Sequence, residues 1–147
     1  MADAQRRAEA VWEGSLAQGS GVVSLKSSEA AGPLPVTWAS RTARSEGKTS
    51  PEELIAAAHA ACYCMGLSHT LVENGTPPQK LEVSATVTFA QIEGGFKVAS
   101  SALTVRGTVP GLDAGAFRDA AHAAKDGCPV SGALKGNVEI SVTAELA

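Results

Sequence analysis

Hydrophobic and polar positions change period several times along the chain, and each change marks an element. Residues 7–12 and 21–25 are short β-compatible runs separated by Gly14 and a Gly19-Ser20 turn, the pattern of an N-terminal hairpin. Pro33 and Pro35 open an irregular segment. Between Pro35 and Pro51 one short strand is expected, followed by a polar loop that holds Arg41, Arg44, Glu46 and Lys48. Ser50-Pro51-Glu52-Glu53 then starts a helix: Ser50 caps it, Pro51 takes the first helical position and Glu53 completes a capping box. This helix runs to Asn74-Gly75 and spans on the order of 35 Å. Apolar and small residues surround it on all sides, which predicts a central, buried helix that lets other elements approach closely.

Beyond it the period returns to two. In 81–90 and 96–109, Val83, Ala85, Val87, Phe89, Val98, Leu103 and Val105 alternate with polar residues, and Gly94-Gly95 links the runs into an antiparallel hairpin. Asp113 caps a second helix with Ala114, Phe117, Ala121 and Ala124 on one side, ending at Lys125-Asp126-Gly127. Pro129 marks the first position of a short helix, so Cys128 falls at or beside its N-cap. Alternation over 138–146 reads as a closing strand. The order of elements predicts an α+β fold with antiparallel sheets packed around a long central helix.

One stretch invites a different reading. Residues 54–72 contain no Asp, Glu, Lys or Arg and reach the length of a membrane span. Alanines dominate the stretch, however, and His59, Ser68, His69 and Thr70 interrupt it, so a core helix is the better expectation and no membrane partner is inferred.

Composition narrows the field further. The chain has 147 residues, 44% hydrophobic and 18% charged, with a net charge of -3, which fits one domain over 1–147 and excludes a disordered chain. Twelve Lys and Arg against fifteen Asp and Glu leave no basic stripe, so nucleic acid is not an expected partner. No apolar segment follows Arg6-Arg7, so no secretory signal is read and a cytoplasmic location is expected.

Three cysteines carry the candidate chemistry. A helix N-terminus favours an anion, so Cys128 is either a reactive thiolate or a small buried residue beneath a helix cap, and the residues alone leave both open. Cys62 and Cys64 lie two apart on a helix, about 200° around its axis, so only one of them meets Cys128. That spacing is a poor zinc clip, and no metal site is expected even though His59 shares the face of Cys62. His59, His69 and His122 are each expected to be polar residues satisfied inside or at the edge of helices.

The run Thr49-Ser50-Pro51-Glu52-Glu53-Leu54-Ile55-Ala56-Ala57-Ala58-His59-Ala60-Ala61-Cys62-Tyr63-Cys64-Met65, with Gly127-Cys128-Pro129-Val130-Ser131, resembles the OsmC/Ohr family of peroxidases. Ala10-Val11-Trp12-Glu13-Gly14 and Val109-Pro110-Gly111-Leu112-Asp113 extend the resemblance over essentially the whole chain and favour the OsmC branch. It implies a thiol peroxidase that reduces organic hydroperoxides, and hydrogen peroxide less selectively, without metal, haem, flavin or other cofactor. Cys62 matches the peroxidatic cysteine and Cys128 the resolving one, joined as a disulfide during turnover. Cys64 stands where relatives commonly have Ser. The active-site arginine falls on Arg41 by the Pro35-x-x-Trp38-x-x-Arg41 spacing, with one residue inserted before Pro51, and Arg44 is the alternative. The glutamate that pairs with it matches Glu52.

The resemblance further implies an intertwined homodimer, with a lipoyl-type or other small dithiol system as reductant. Helix geometry agrees with two subunits: Glu52 and Cys62 are ten residues apart, about 15 Å along a helix, so a Glu52-Arg41 pair does not readily brace the Cys62 of its own chain. Two other readings compete with the enzyme. One is a stress protein that binds an apolar ligand in a dimer cleft; the other is a thiol redox sensor.

Overall fold

A computed structural model describes residues 3–147; Met1 and Ala2, which begin the polar N-terminal run, lie outside the described residues. The chain forms two compact units that meet in sequence at the start of the long helix, Met1–Pro51 and Glu52–Ala147.

In the first unit β1 (Ala8–Glu13), β2 (Ser20–Leu25) and β3 (Leu34–Val36) form an antiparallel sheet in that order. The expected hairpin is present, with Trp12 opposite Gly21. A Cβ at Gly21 would lie 2.6 Å from the Val11 carbonyl oxygen and 2.8 Å from the Trp12 ring, so the close approach of the strands requires glycine there. The loop expected around Arg41 is instead a short helix, α1 (Trp38–Thr42), and this is a correction. Its cause is a capping box closed by serine. Thr37 Oγ1 accepts from the Ser40 N–H and Ser40 Oγ accepts from the Thr37 N–H, each at 3.0 Å.

The second unit opens with α2 (Pro51–Glu73), which has the predicted bounds. It ends in a Schellman motif: the Thr76 N–H reaches the Leu71 carbonyl and the Gly75 N–H that of Val72, with Gly75 at φ 81. By length and composition α2 is long and apolar enough to cross a membrane. His59, Tyr63, Leu67 and Leu71, spaced by four, are nonetheless fully buried along one face. The expectation of burial on all sides is corrected, since Met65 is 69% and Val72 51% exposed. Small residues permit close packing around a helix but do not supply the partner.

β4 (Lys80–Ile92) and β5 (Gly95–Thr108) form the predicted antiparallel hairpin, with a bulge at Thr88/Phe89. α3 (Ala114–Gly127) starts at Asp113, whose carboxylate accepts from the Ala116 N–H at 2.8 Å, and α4 (Pro129–Leu134) follows with Cys128 as its N-cap. β6 (Glu139–Leu146) pairs with β5 in parallel, so the sheet order is β4-β5-β6 and the antiparallel expectation is corrected for this strand. The reason is the connection. A hairpin would have returned the chain antiparallel, whereas α3 and α4 carry it back to the start of β5. Leu103 and Val105 of β5 join Tyr63, Leu67 and Leu71 of α2, Phe117, Ala120, Ala121 and Ala124 of α3, and Cys128 in one core.

Candidate active site

The two halves of the cysteine motif meet in the second unit. Cys62 lies in the middle of α2, half-buried, three residues after the buried His59. Cys128 is 1% exposed at the junction where α3 ends and α4 begins, and Pro129 forces the chain into the new helix at once. Their Sγ atoms share a hydrogen bond at 3.2 Å, and both thiols are free. The helical spacing excluded a common site for Cys62 and Cys64. Cys64 accordingly faces a separate open groove lined by Met65, Ser68, His69, Lys80 and Leu81.

The two sulfurs differ in electrostatics. Burial disfavours the charge on both. At Cys128 it is outweighed by the Ser131 N–H, the Cys62 thiol, the Ser131 hydroxyl and the Val130 N–H, and the net effect lowers the Cys128 pKa. At Cys62 burial dominates; the Val130 N–H offsets part of it, the neighbouring Cys128 adds to it, and the pKa is raised. Of the alternatives left open for Cys128, the structure shows the burial in the core, and the surrounding donors move its pKa downward. A Cys62 thiolate needs a positive charge that these neighbours do not supply.

His59 ties the site to the sheet. Its ring is fully buried, with Nδ1 2.7 Å from Ser101 Oγ on β5 and Nε2 2.8 Å from Ser131 Oγ on α4. The expectation that His59 is a satisfied interior residue holds, and burial lowers its pKa below the ordinary value of 6.5. The two serines carried no role in the sequence. The signals were there: Ser101 falls on the buried phase of β5 with Leu103 and Val105, and Ser131 sits three residues after a helix N-cap. Tyr63 completes the local frame by donating its hydroxyl to the Ala121 carbonyl at 2.8 Å.

Glu52 is buried in the first turn of α2, ten residues before Cys62. Arg41 and Arg44 belong to the first unit. Arg41 closes α1, half-buried, with its guanidinium carbon 6.0 Å from the Trp38 ring centroid, while Arg44 is exposed beside Gln18, Thr37 and Glu46. His69 and His122 are exposed. Among the described residues no three His, Cys, Asp or Glu side chains cluster in a way that would hold a metal ion.

Comparison with known proteins places this arrangement in context. A family model described as OsmC-like protein matches residues 44–143. Peroxiredoxin OsmC of Escherichia coli (strain K12) is 39% identical over 137 residues, covering 92% of this chain and 93% of that protein. The crystal structure of the organic hydroperoxide resistance protein OhrB of Bacillus subtilis superimposes with a TM-score of 0.71 at 27% identity, covering 96% of this chain and 98% of the other. An OsmC-like protein from Mycoplasma pneumoniae shares the fold at 16% identity, with a TM-score of 0.74 and 99% coverage of each chain.

Proposed function

The chain belongs to the OsmC-like protein family, and from that premise we propose that it is a thiol peroxidase reducing organic hydroperoxides and, less selectively, hydrogen peroxide. The observation that carries this reading is the contact of Cys62 and Cys128 at 3.2 Å, two free thiols from distant parts of the chain in one site. A Cys62 thiolate attacks one oxygen of the O–O bond, the alkoxide leaves and takes a proton as the alcohol, and Cys62 becomes a sulfenic acid. The Cys128 sulfur then attacks the Cys62 sulfur, the S–O bond breaks, and the hydroxide leaves as water with the proton from Cys128. A small dithiol, of lipoyl type or similar, reduces the disulfide. Exposure supports these roles: Cys62 is half-buried and within a peroxide's reach, whereas Cys128 is almost fully enclosed.

The raised pKa of Cys62 supports a role for Arg41 as the cation that holds its thiolate and binds the leaving oxygen, with Glu52 orienting the guanidinium. α2 is continuous from Glu52 to Cys62, about 15 Å of helix, which favours an Arg41-Glu52 pair acting on the cysteines of a second chain. We therefore assign a homodimer of single 1–147 domains with two composite sites, working in the cytoplasm.

Peptide mapping after a stoichiometric dose of tert-butyl hydroperoxide tests the reading. Loss of two thiols with a Cys62–Cys128 link is the expected result. Survival of all three thiols would end the peroxidase reading and return attention to apolar ligand binding.

A further inference from the structure

Apart from the cysteine pair, the second unit holds a cavity of about 260 Å³ where the last turn of α3, α4 and the entry to β6 come together. Two cations line it from separate elements. Lys125 stands in the last turn of α3 with its side chain 25% exposed, and Lys135 is the C-cap of α4. The one carboxylate on the wall belongs to Asp126, which lies 3.7 Å from the Lys125 ammonium but is 79% exposed, so its charge is largely spent on water. Among the described residues Lys135 has no carboxylate partner. A lysine at a helix C-terminus is favoured on its own account by the backbone dipole. That preference explains each lysine singly, but not why two of them border one cavity in a chain whose net charge is -3. Another part of the wall is apolar, formed by the half-buried Val138 and Ile140. Gly132 keeps the space open, since a Cβ there would meet nothing within 4 Å.

We propose that this cavity is a binding site for a short aliphatic carboxylate, with the carboxylate between the ammonium groups of Lys125 and Lys135 and the hydrocarbon chain against Val138 and Ile140. Lysine meets a carboxylate as a point charge, so two of them hold the head group without fixing its orientation. Partial enclosure strengthens that attraction relative to open water, and the chain gains by covering apolar surface. Both features are needed. A bare phosphate would leave the apolar wall uncovered, and a neutral alcohol would leave the lysines without their counter-charge. The size also fits, because pockets for drug-sized ligands run to roughly 300–1,000 Å³ and this one falls just below them. The site goes beyond the peroxidase reading, and binding requires neither thiol. It has a place from which to act on one of them, however: Asp126 and Ser131 flank Cys128 in the chain, so a ligand seated here rests against the α3–α4 junction that fixes that residue.

The test uses the full-length protein and sodium hexanoate, with hexanol, acetate and inorganic phosphate as comparisons. Calorimetry is expected to show saturable binding of hexanoate with a Kd on the order of 1 mM. Amide shifts in nitrogen–proton spectra should concentrate at Gly132, Lys135 and Gly136. Hexanol, acetate and phosphate should each bind at least about fivefold more weakly, and Lys125→Gln and Lys135→Gln should each weaken hexanoate by about fivefold. Gly132→Leu places a side chain in the open space and replaces glycine with a better helix former, so it should block binding without lowering the urea midpoint. Absence of saturable binding up to about 10 mM hexanoate would overturn the proposal. Hexanol binding as tightly as hexanoate would overturn it in favour of a plain apolar crevice, and phosphate doing so in favour of an unselective anion patch. Binding untouched by Gly132→Leu and by both lysine variants would place the ligand elsewhere and overturn it equally. Kinetics with tert-butyl hydroperoxide then identify the source of the carboxylate. Competition by hexanoate marks it as part of a substrate, whereas a changed kcat at saturating peroxide marks a separate effector. A protein that binds hexanoate in this way but consumes no peroxide would end the peroxidase reading and leave the site standing.

Discussion

The sulfurs of Cys62 and Cys128 touch at 3.2 Å although 66 positions separate them in the chain. The contact has two supports. α2 presents Cys62 beside its buried His59-Tyr63-Leu67-Leu71 row, and the α3–α4 junction fixes Cys128 at an N-cap that cannot slide, because Pro129 allows only one start for the helix.

Removing either thiol has a different outcome. Cys62→Ser is expected to abolish peroxide consumption. Cys128→Ser should still react once and gain oxygen on Cys62, then stall and proceed to the sulfinic acid under excess peroxide. Intact mass after graded additions of peroxide distinguishes the two; equal turnover by both variants would contradict the roles assigned here.

The buried imidazole gives stability a defined pH dependence. The pKa of His59 is held below 6.5 by burial, so on acidification the unfolded chain takes up a proton that the folded chain refuses. The contribution is fully present above pH 6.5 and declines as pH falls below it. Urea midpoints measured across that range should fall more steeply for the parent than for His59→Gln, since the exposed His69 and His122 are common to both.

Gly107 on β5 has no room for a side chain: a Cβ there would lie 2.5 Å from Phe117 Cζ, and Phe117 is fully buried. Gly107→Ala is expected to destabilise the protein by about 1–3 kcal/mol through overpacking. Adding Phe117→Leu should recover part of that loss, so a double-mutant cycle by chemical denaturation will show a destabilisation smaller than the sum.

The outward side of α2 is a test of the dimer. Met65 is 69% exposed, and a charge there leaves the core of its own chain untouched. Met65→Glu is expected to convert the proposed homodimer to monomer in sedimentation, with loss of peroxidase activity, while circular dichroism retains the helical signal. A Met65→Glu protein that stayed dimeric would place the interface elsewhere.

Local chemistry was the most legible part of the sequence. Ser50-Pro51 and Asn74-Gly75 bounded α2, Asp113 began α3, and Cys128-Pro129 marked an N-cap, because each of these signals acts within one turn of backbone. What depends on distant partners was harder to read. The parallel pairing of β6 with β5 follows from the path of a crossover that alternation in 138–146 does not encode. The α1 capping box was missed because Ser40 stands where Glu or Gln gives the familiar signal. At the site, helical spacing showed that Cys62 and Cys64 face apart, and family resemblance supplied the partner of Cys62. Nothing in the sequence joined His59 to Ser101 and Ser131, which lie 42 and 72 positions further along.

The enclosure of Cys128 decides more than which thiol meets peroxide first. On the mechanism proposed above, a dithiol arriving at the Cys62–Cys128 disulfide would find only the Cys62 sulfur within reach, since Cys128 is 1% exposed. The mixed disulfide would then form on Cys62, with Cys128 as the leaving group, a part that its lowered pKa suits. Regeneration on that mechanism would have a fixed direction: the reductant would enter by the door the peroxide used, and the core sulfur would be the first set free.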